Sequence, residues 1–178
     1  MNSTETFVKQ RLPNFLREVE RKEIGKDVEE LNIYEKTLIY YYSVEGYDQL
    51  NEDLRAGKDN QYAEHLNRAL EKLPDYQGIV FRGSPLEVWD IDVYRKAESD
   101  DTEVTELAFM SCSISMPVAQ QFSKGSTIFR VISKTGKAIG QLSFYTSEKE
   151  ILFSSNCTFK VLDIDDSGNL TIITLREI

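Results

Sequence analysis

The stretch YTSEKEILF, residues 145–153, joins a polar turn to a short apolar run. Two glutamates, Glu148 and Glu150, stand one residue apart where the polar part ends. Short apolar runs that are bounded by polar residues favour a β-strand. The stretch therefore predicts a strand over residues 150–153 with two carboxylates at its entrance.

Several other β-rich runs share the second part of the chain with that strand. A short helix is predicted among them over residues 116–122, where Pro117 suits the first turn. A series of short strands of this kind predicts two packed antiparallel β-sheets over residues 76–178. The remaining predicted strands cover residues 78–81, 105–109, 126–132, 137–144, 158–164 and 170–175.

The first part of the chain, residues 1–75, predicts a helical lobe. Pro13 suits the start of a short helix. Asp27 with Glu30 resembles a capping box, and the apolar residues that follow recur at helical spacing, so this is the strongest predicted helix. Helices and strands that are segregated in this way indicate an α+β fold. Two further helices are predicted over residues 47–55 and 61–73.

Length and composition favour one globular domain over residues 1–178. The sequence is 40% hydrophobic and 29% charged, as expected for a soluble protein with a single core. No run approaches the ~20 apolar residues of a membrane-spanning helix. Residues 1–11 lack the basic and then apolar pattern of a signal peptide. We expect a monomer that is cytoplasmic in its producer or is delivered into a target cell by a dedicated secretion route.

Charge and residue counts narrow the function classes. The net charge is −9 and basic residues form no stripe, which disfavours nucleic acid as a partner. Cys112, Cys157 and the single histidine, His65, are too few for the usual structural zinc sites. A catalytic triad would have to use His65. A disulfide between the two cysteines stays open.

Three more motifs precede the glutamate pair, and each has an ordinary explanation when it is taken alone. Arg82 stands in FRG at the end of a predicted strand, where it can pair with a structural carboxylate, because an unpaired buried charge costs several kcal/mol. Ser111 and Ser113, in FMSCS, can be ordinary strand hydroxyls. Phe122 can be a core residue. The glutamates themselves can lie on a solvated surface.

Taken in order, the motifs resemble the catalytic pattern of the arginine-specific mono-ADP-ribosyltransferases. This R-S-E class includes actin-modifying clostridial-type toxins and vertebrate ecto-transferases. Its pattern is an arginine that ends a strand, then a Ser-Thr-Ser strand, then two glutamates one residue apart after an aromatic-led turn. Tyr42, Tyr47 and Asn51 resemble the family's tyrosine and asparagine positions beside the NAD cleft. The chain departs at Cys112, where threonine is usual, and at Lys124, near a frequent arginine.

The resemblance implies an ADP-ribosyltransferase fold whose sheets form an NAD cleft. Arg82 would bind the diphosphate through charge-assisted hydrogen bonds. Gly83 would let the backbone approach the nicotinamide amide, and Phe122 would stack on the nicotinamide ring. Ser111 would hold the geometry near the catalytic glutamate. The other residues that the resemblance places in the NAD site are Tyr42, Tyr47, Asn51 and Ser113.

The glutamates determine the implied reaction. Glu150 would hydrogen-bond the ribose and stabilise the oxocarbenium-like charge that develops as nicotinamide leaves. Glu148 would hold an acceptor guanidinium, whose pKa is above ~12, and relieve it of a proton. Family members that modify asparagine carry glutamine at this position, so glutamate favours an arginine acceptor. Tyr145 would present its ring to the protein substrate.

The implied function is transfer of ADP-ribose from NAD to an arginine of a target protein, by a bacterial toxin or effector or by a phage enzyme. The implied mechanism needs no metal. Two alternatives stay open from the residues: a NAD glycohydrolase, in which water replaces arginine, and a catalytically silent module of the same fold that binds NAD or a peptide. The sequence does not identify the target protein.

Overall fold

The computed structural model describes residues 3–178, apart from the side chains of residues 88 and 89. The first part is helical, as predicted, and it also contains an N-terminal helix that the sequence patterns did not reveal. Its elements are α1 (Ser3–Arg11), α2 (Pro13–Lys22), α3 (Ile33–Tyr41), a π-helical segment (Tyr42–Gly46), α4 (Tyr47–Arg55) and α5 (Gln61–Leu70).

The strongest predicted helix, α3, starts later than expected. The Asn32 side-chain oxygen accepts hydrogen bonds from the backbone N–H groups of Tyr34 and Glu35, at 3.0 and 3.1 Å. The Glu35 carboxylate accepts one from the Asn32 backbone N–H at 3.0 Å, which completes a capping box. The box expected at Asp27 is wrong, because the chain there is still in a turn that follows Gly25, with φ of 63°.

The second part contains the strands, with one predicted helix and one that the patterns missed. The missed helix is α6 (Val88–Ser99), and the predicted one is α7 (Met116–Ser123). A 3₁₀ turn, Thr146–Glu148, stands in the stretch that carries the two glutamates. The strands are β1 (Asp75–Ser84), β2 (Glu103–Glu106), β3 (Met110–Ser113), β4 (Thr127–Ala138), β5 (Glu150–Phe153), β6 (Cys157–Asp165) and β7 (Thr171–Glu177).

The strands form one hydrogen-bonded sheet of order β1-β3-β5-β4-β7-β6-β2. β4 also pairs with β1, so that β1, β3, β5 and β4 close into a ring. The predicted α+β class is confirmed, but the two separate antiparallel sheets need a correction: β4 belongs to both halves, and it runs parallel to β7. The sequence predicted two shorter strands in this region. The structure has one strand, β4, of twelve residues, and this single strand pairs with β1 on one side and with β7 on the other.

Two hydrophobic cores lie on opposite faces of β3 and β5. Ile151 and Phe153 pack with α6 and the strands, whereas Leu152 packs under the helical lobe. Side chains alternate along a strand, so Glu150 shares the face of Leu152 and points toward the helical lobe. Within residues 3–178, no helix is long and apolar enough to cross a membrane.

Candidate active site

A cleft of about 380 Å³ opens between the helical lobe and the ends of β1, β3 and β5. The π-helical segment and α4 form one wall, and α7 forms another. Every residue that the sequence singled out for the site lines this cleft. They are Tyr42, Tyr47, Asn51, Arg82, Gly83, Ser111, Ser113, Phe122, Tyr145, Glu148 and Glu150.

A series of hydrogen bonds links the arginine to a glutamate through one serine. Arg82 Nη1 donates to the backbone oxygen of Ser111 at 2.9 Å. Ser111 Oγ donates to Glu150 Oε1 at 2.7 Å. The three residues come from β1, β3 and β5, which are neighbours in the sheet. Strand pairing therefore brings together side chains that are up to 68 positions apart, between residues 82 and 150.

Arg82 keeps its positive charge available to the cleft. Within the described residues its guanidinium makes no ion pair with a carboxylate, since its hydrogen bond goes to a neutral carbonyl. The ordinary explanation, a structural salt bridge, therefore does not apply. Arg82 also borders a second cavity of about 270 Å³, whose wall includes Arg55 and Tyr94. An anion could reach the guanidinium from either side.

Glu150 is an almost completely buried carboxyl group, with 6% of its surface exposed. Burial raises its pKa above the ordinary value, because a charged group loses hydration there. Hydrogen bonds from Ser111 and Ser143 act in the opposite direction, and so does the positive charge of Arg82. The site thus holds a carboxylate that little solvent screens.

Glu148 lies at the entrance of the same cleft and is less buried than Glu150. Lys149, between the two glutamates, has a φ of 48°, and this left-handed residue ends the 3₁₀ turn before β5 begins. Partial burial raises the pKa of Glu148. Its backbone oxygen accepts a hydrogen bond from Ser113 Oγ at 2.6 Å. The turn is therefore anchored, while the carboxylate itself has no hydrogen bond or ion pair within the described residues.

The FMSCS segment alternates as expected. Ser111 and Ser113 face the cleft, whereas Cys112 packs into the second core, where burial raises its thiol pKa to about 12. Cys112 also borders the cleft, but it packs into the core between the two serines that face the cleft. Cys112 and Cys157 are both free, which answers the open disulfide question. In the part of the chain that the structure describes, no group of three or more His, Cys, Asp or Glu side chains could hold a metal ion.

The packing of α7 on β1 requires glycine at position 83, a requirement that the sequence did not reveal. A Cβ at this position would lie 1.9 Å from the backbone oxygen of Ala119 and 2.5 Å from the backbone nitrogen of Ser123. Both atoms belong to α7, so glycine lets this helix pack directly on β1. Since α7 carries Phe122, Gly83 also sets how close that ring lies to the strand.

Tyr42, Tyr47 and Asn51 form one wall of the cleft, and contacts among these residues hold the wall together. Asn51 Nδ2 donates to the Tyr42 hydroxyl at 3.2 Å, and Asn51 Oδ1 accepts from the Phe109 backbone N–H at 3.1 Å. Tyr42 is 2% exposed, and burial raises its pKa. Tyr47 packs edge-on against Tyr42 and is exposed. Asn51 thus connects α4 to the segment before β3, and Tyr47 is the ring that the wall presents.

A profile of the family described as "ART: NAD:arginine ADP-ribosyltransferase" matches residues 18–178, which is most of the chain. The chain belongs to this NAD:arginine ADP-ribosyltransferase family. The resemblance drawn from the motifs is therefore confirmed.

Individual relatives of the chain have names that match this family. Mav of Mycobacterium avium (strain 104), a putative NAD(+)--arginine ADP-ribosyltransferase, is 38% identical over 77% of this chain and 17% of that protein. Vis of Vibrio splendidus (strain 12B01), also a putative NAD(+)--arginine ADP-ribosyltransferase, is 32% identical over 81% of this chain and 64% of that protein. The chain thus spans less than two thirds of both curated relatives.

Solved structures share the fold. ADP-ribosyltransferase HopU1 of Pseudomonas syringae pv. tomato DC3000 matches with a TM-score of 0.79 and 20% identity, over 93% of this chain and 87% of that chain. The crystal structure of Vis in complex with agmatine matches with a TM-score of 0.67 and 25% identity, over 100% of this chain and 87% of that chain. The predicted ADP-ribosyltransferase fold is confirmed.

The sequence patterns missed two serines near the glutamates. Ser143 Oγ donates to Glu150 Oε2 at 3.3 Å, and Ser43 Oγ accepts from the Phe144 backbone N–H at 2.9 Å. Both serines are buried. A lone serine carries no distinctive sequence signal. The only hint was the position of Ser143 shortly before the aromatic-led turn.

Proposed function

We propose that this chain cleaves NAD and transfers the ADP-ribose to an arginine side chain of a target protein. The observation that carries the proposal is the bonded series of Arg82, Ser111 and Glu150, which holds a guanidinium and a buried carboxylate on one cleft. Membership in the NAD:arginine ADP-ribosyltransferase family supports it.

The cleft residues suit the chemical groups of NAD, which would supply the ADP-ribosyl group and nicotinamide as the leaving group. Arg82 suits the diphosphate, because its guanidinium offers several N–H donors that no carboxylate occupies. Phe122 and Tyr47 offer exposed rings against which nicotinamide can pack. We assign Gly83, Ser113, Tyr42 and Asn51 to the support of these groups, because their contacts hold α7, the glutamate turn and the tyrosine wall in place around the cleft.

We assign Glu150 to the cleavage of the bond between nicotinamide and ribose. Its carboxylate would accept a hydrogen bond from a ribose hydroxyl, and this bond strengthens as positive charge develops on the sugar. Ser111 fixes one carboxylate oxygen in advance. Since Glu150 is 6% exposed, little water competes for its charge.

We assign Glu148 to the acceptor. An arginine side chain is protonated at neutral pH, so it needs a partner that orients it and takes a proton as it attacks. Glu148 has an unpaired carboxylate on an anchored turn, and Tyr145 lies on the same turn. Vis was crystallised with agmatine, a compound that ends in a guanidinium, and this supports a guanidinium acceptor here.

Labelled NAD, incubated with the chain and a cell lysate, tests the proposal. We expect labelled protein bands, and mass spectrometry should place ADP-ribose on arginine side chains. Free ADP-ribose without labelled protein, under conditions of turnover, would instead favour a NAD glycohydrolase. If neither product forms, the chain would be a silent binding module.

We further propose that the chain is the catalytic part of a bacterial toxin or effector that acts on a protein of another cell. Vis, which the chain resembles, is described as a toxin. The chain spans 17% of Mav and 64% of Vis, so relatives carry this catalytic unit within longer proteins. The modified proteins found in the lysate experiment would identify the target.

A further inference from the structure

Two serine hydroxyls hold the Glu150 carboxylate, one at each oxygen. Ser111 donates to Oε1 at 2.7 Å, and Ser143 donates to Oε2 at 3.3 Å. Ser143 is 2% exposed, so its contact lies in the protein interior. Ser111 belongs to the motif pattern described above, whereas Ser143 stands outside it.

The Ser143 hydroxyl accepts one hydrogen bond from the backbone and donates its own proton to Glu150. The backbone N–H of Tyr145 donates to Ser143 Oγ at 3.2 Å. A hydroxyl has a single proton to donate, and this one goes to Glu150. Accepting one hydrogen bond polarises the hydroxyl and strengthens the bond that it donates.

We propose that Ser143 is a positioning residue that fixes Glu150 and connects it to the turn that receives the acceptor. The inference rests on the proposed role of Glu150. Because Tyr145 begins the turn that carries Glu148, one hydroxyl contacts both the turn and Glu150. A protein acceptor that displaces Tyr145 therefore alters the orientation of the Glu150 carboxylate.

The same segment is anchored on its other side. The backbone N–H of Phe144 donates to Ser43 Oγ in the π-helical segment at 2.9 Å. Ser43 in turn donates to the backbone oxygen of Tyr40 at 2.8 Å. Residues 143–145 therefore lie between the helical lobe and β5, and serine hydroxyls accept hydrogen bonds from the backbone N–H groups of Phe144 and Tyr145.

Titratable groups from four elements interact electrostatically with Glu150. Arg82 on β1 and Glu148 on the turn shift the pKa of Glu150. The charge of Glu150 in turn raises the pKa of Cys112 on β3 and of Tyr42 in the π-helical segment. Arg82 and the two serine hydrogen bonds lower the pKa of Glu150, whereas burial and Glu148 raise it. Loss of the Ser143 hydroxyl removes one lowering cause only, so the pKa of Glu150 moves upward.

The test is a titration of the Glu150 carboxyl carbon by ¹³C NMR in the NAD-free protein, with the signal assigned through its absence in Glu150→Gln. We expect Ser143→Ala to move the midpoint to higher pH, and Ser143→Thr, which keeps a hydroxyl, to restore it. Ser147→Ala removes an exposed serine of the same turn and should leave the midpoint in place.

Turnover supplies the second readout. Ser143→Ala should lower kcat for NAD cleavage about three- to tenfold, the effect of one hydrogen bond, with little change in KM for NAD. The acid limb of its pH profile should move to higher pH, as the NMR midpoint does. If Ser143→Ala does not fold, Ser143→Cys, which is similar in size but a weak donor, should move both readouts in the same direction.

Two results separate this inference from the proposed function. An unmoved midpoint and an unmoved acid limb in a folded Ser143 variant would overturn the positioning role, while a large loss in Glu150→Gln would leave the proposed function standing. If Glu150→Gln itself cleaves NAD normally, the proposed function fails, and this inference fails with it.

Discussion

The floor and the rim of the cleft are built differently. The floor is a set of strand residues joined by hydrogen bonds of 2.9 and 2.7 Å: Arg82, Ser111 and Glu150. The rim is a pair of partly exposed side chains on the turn before β5 that no hydrogen bond holds within the described residues: Tyr145 and Glu148. The backbone under Glu148 is nevertheless anchored by Ser113.

This difference separates two tasks. Groups that stabilise a developing charge work best when they are already oriented, which the sheet provides for the floor. A surface that must receive another protein needs side chains with unused donors, acceptors and apolar area, which the rim provides. We therefore expect floor substitutions to slow NAD cleavage and transfer alike, and rim substitutions to slow transfer alone.

The largest expected effect is at the floor. Glu150→Gln keeps the size of the side chain but removes its negative charge, so both nicotinamide release and protein labelling should fall at least roughly a hundredfold, or about 3 kcal/mol. Both rates are measured on the same preparation, with folding checked by thermal melting. An unchanged rate of nicotinamide release would refute the role of Glu150.

The next largest effect is at the rim. Glu148→Gln should lower arginine modification about 30-fold, or about 2 kcal/mol, because the acceptor guanidinium loses its charged partner. NAD hydrolysis should be largely retained. Glu103→Gln, an exposed glutamate on β2, is the matched control. Equal losses of both activities in Glu148→Gln would mean that floor and rim do not divide the tasks.

Sequence and structure agree best at the floor, for a physical reason. An arginine in an otherwise apolar strand is unusual, whereas the serines and the two glutamates have ordinary explanations when each motif is taken alone. Their order along the chain then identified the family. The roles of Arg82, Ser111 and Glu150 depend on strand pairing, which these local signals do not contain, and the structure supplied it.

The features that the sequence did not reveal depend on long-range contacts. Closure of the sheet comes from β4 pairing with β1, and the need for glycine at position 83 comes from α7 packing on β1. Ser143 is one serine among many until β5 places Glu150 beside it. Asp27 and Asn32 each precede a glutamate by three residues, so the local pattern fits both, and the structure has the capping box at Asn32.

A moderate effect is expected for Arg82→Lys. Lysine keeps the charge but loses the planar set of N–H donors, so it cannot donate to Ser111 and bind a diphosphate in the same way. We expect kcat/KM for NAD to fall about tenfold. Arg176→Lys, at an exposed position on β7, is the matched control. If Arg82→Lys has wild-type kinetics, charge alone is sufficient at the floor.

The smallest expected effect is Tyr145→Ala, which removes a half-exposed ring from the rim. The ring has 50% of its surface exposed, and its backbone N–H, which contacts Ser143, is unchanged by the substitution. We expect KM for a protein acceptor to rise about three- to fivefold, less than 1 kcal/mol, because only contact area is lost. NAD hydrolysis should not change. Tyr145→Phe, which keeps the ring, should behave as wild type. If Tyr145→Ala also lowers the rate of NAD hydrolysis three- to fivefold, the ring at the rim contributes to the geometry of the floor as well.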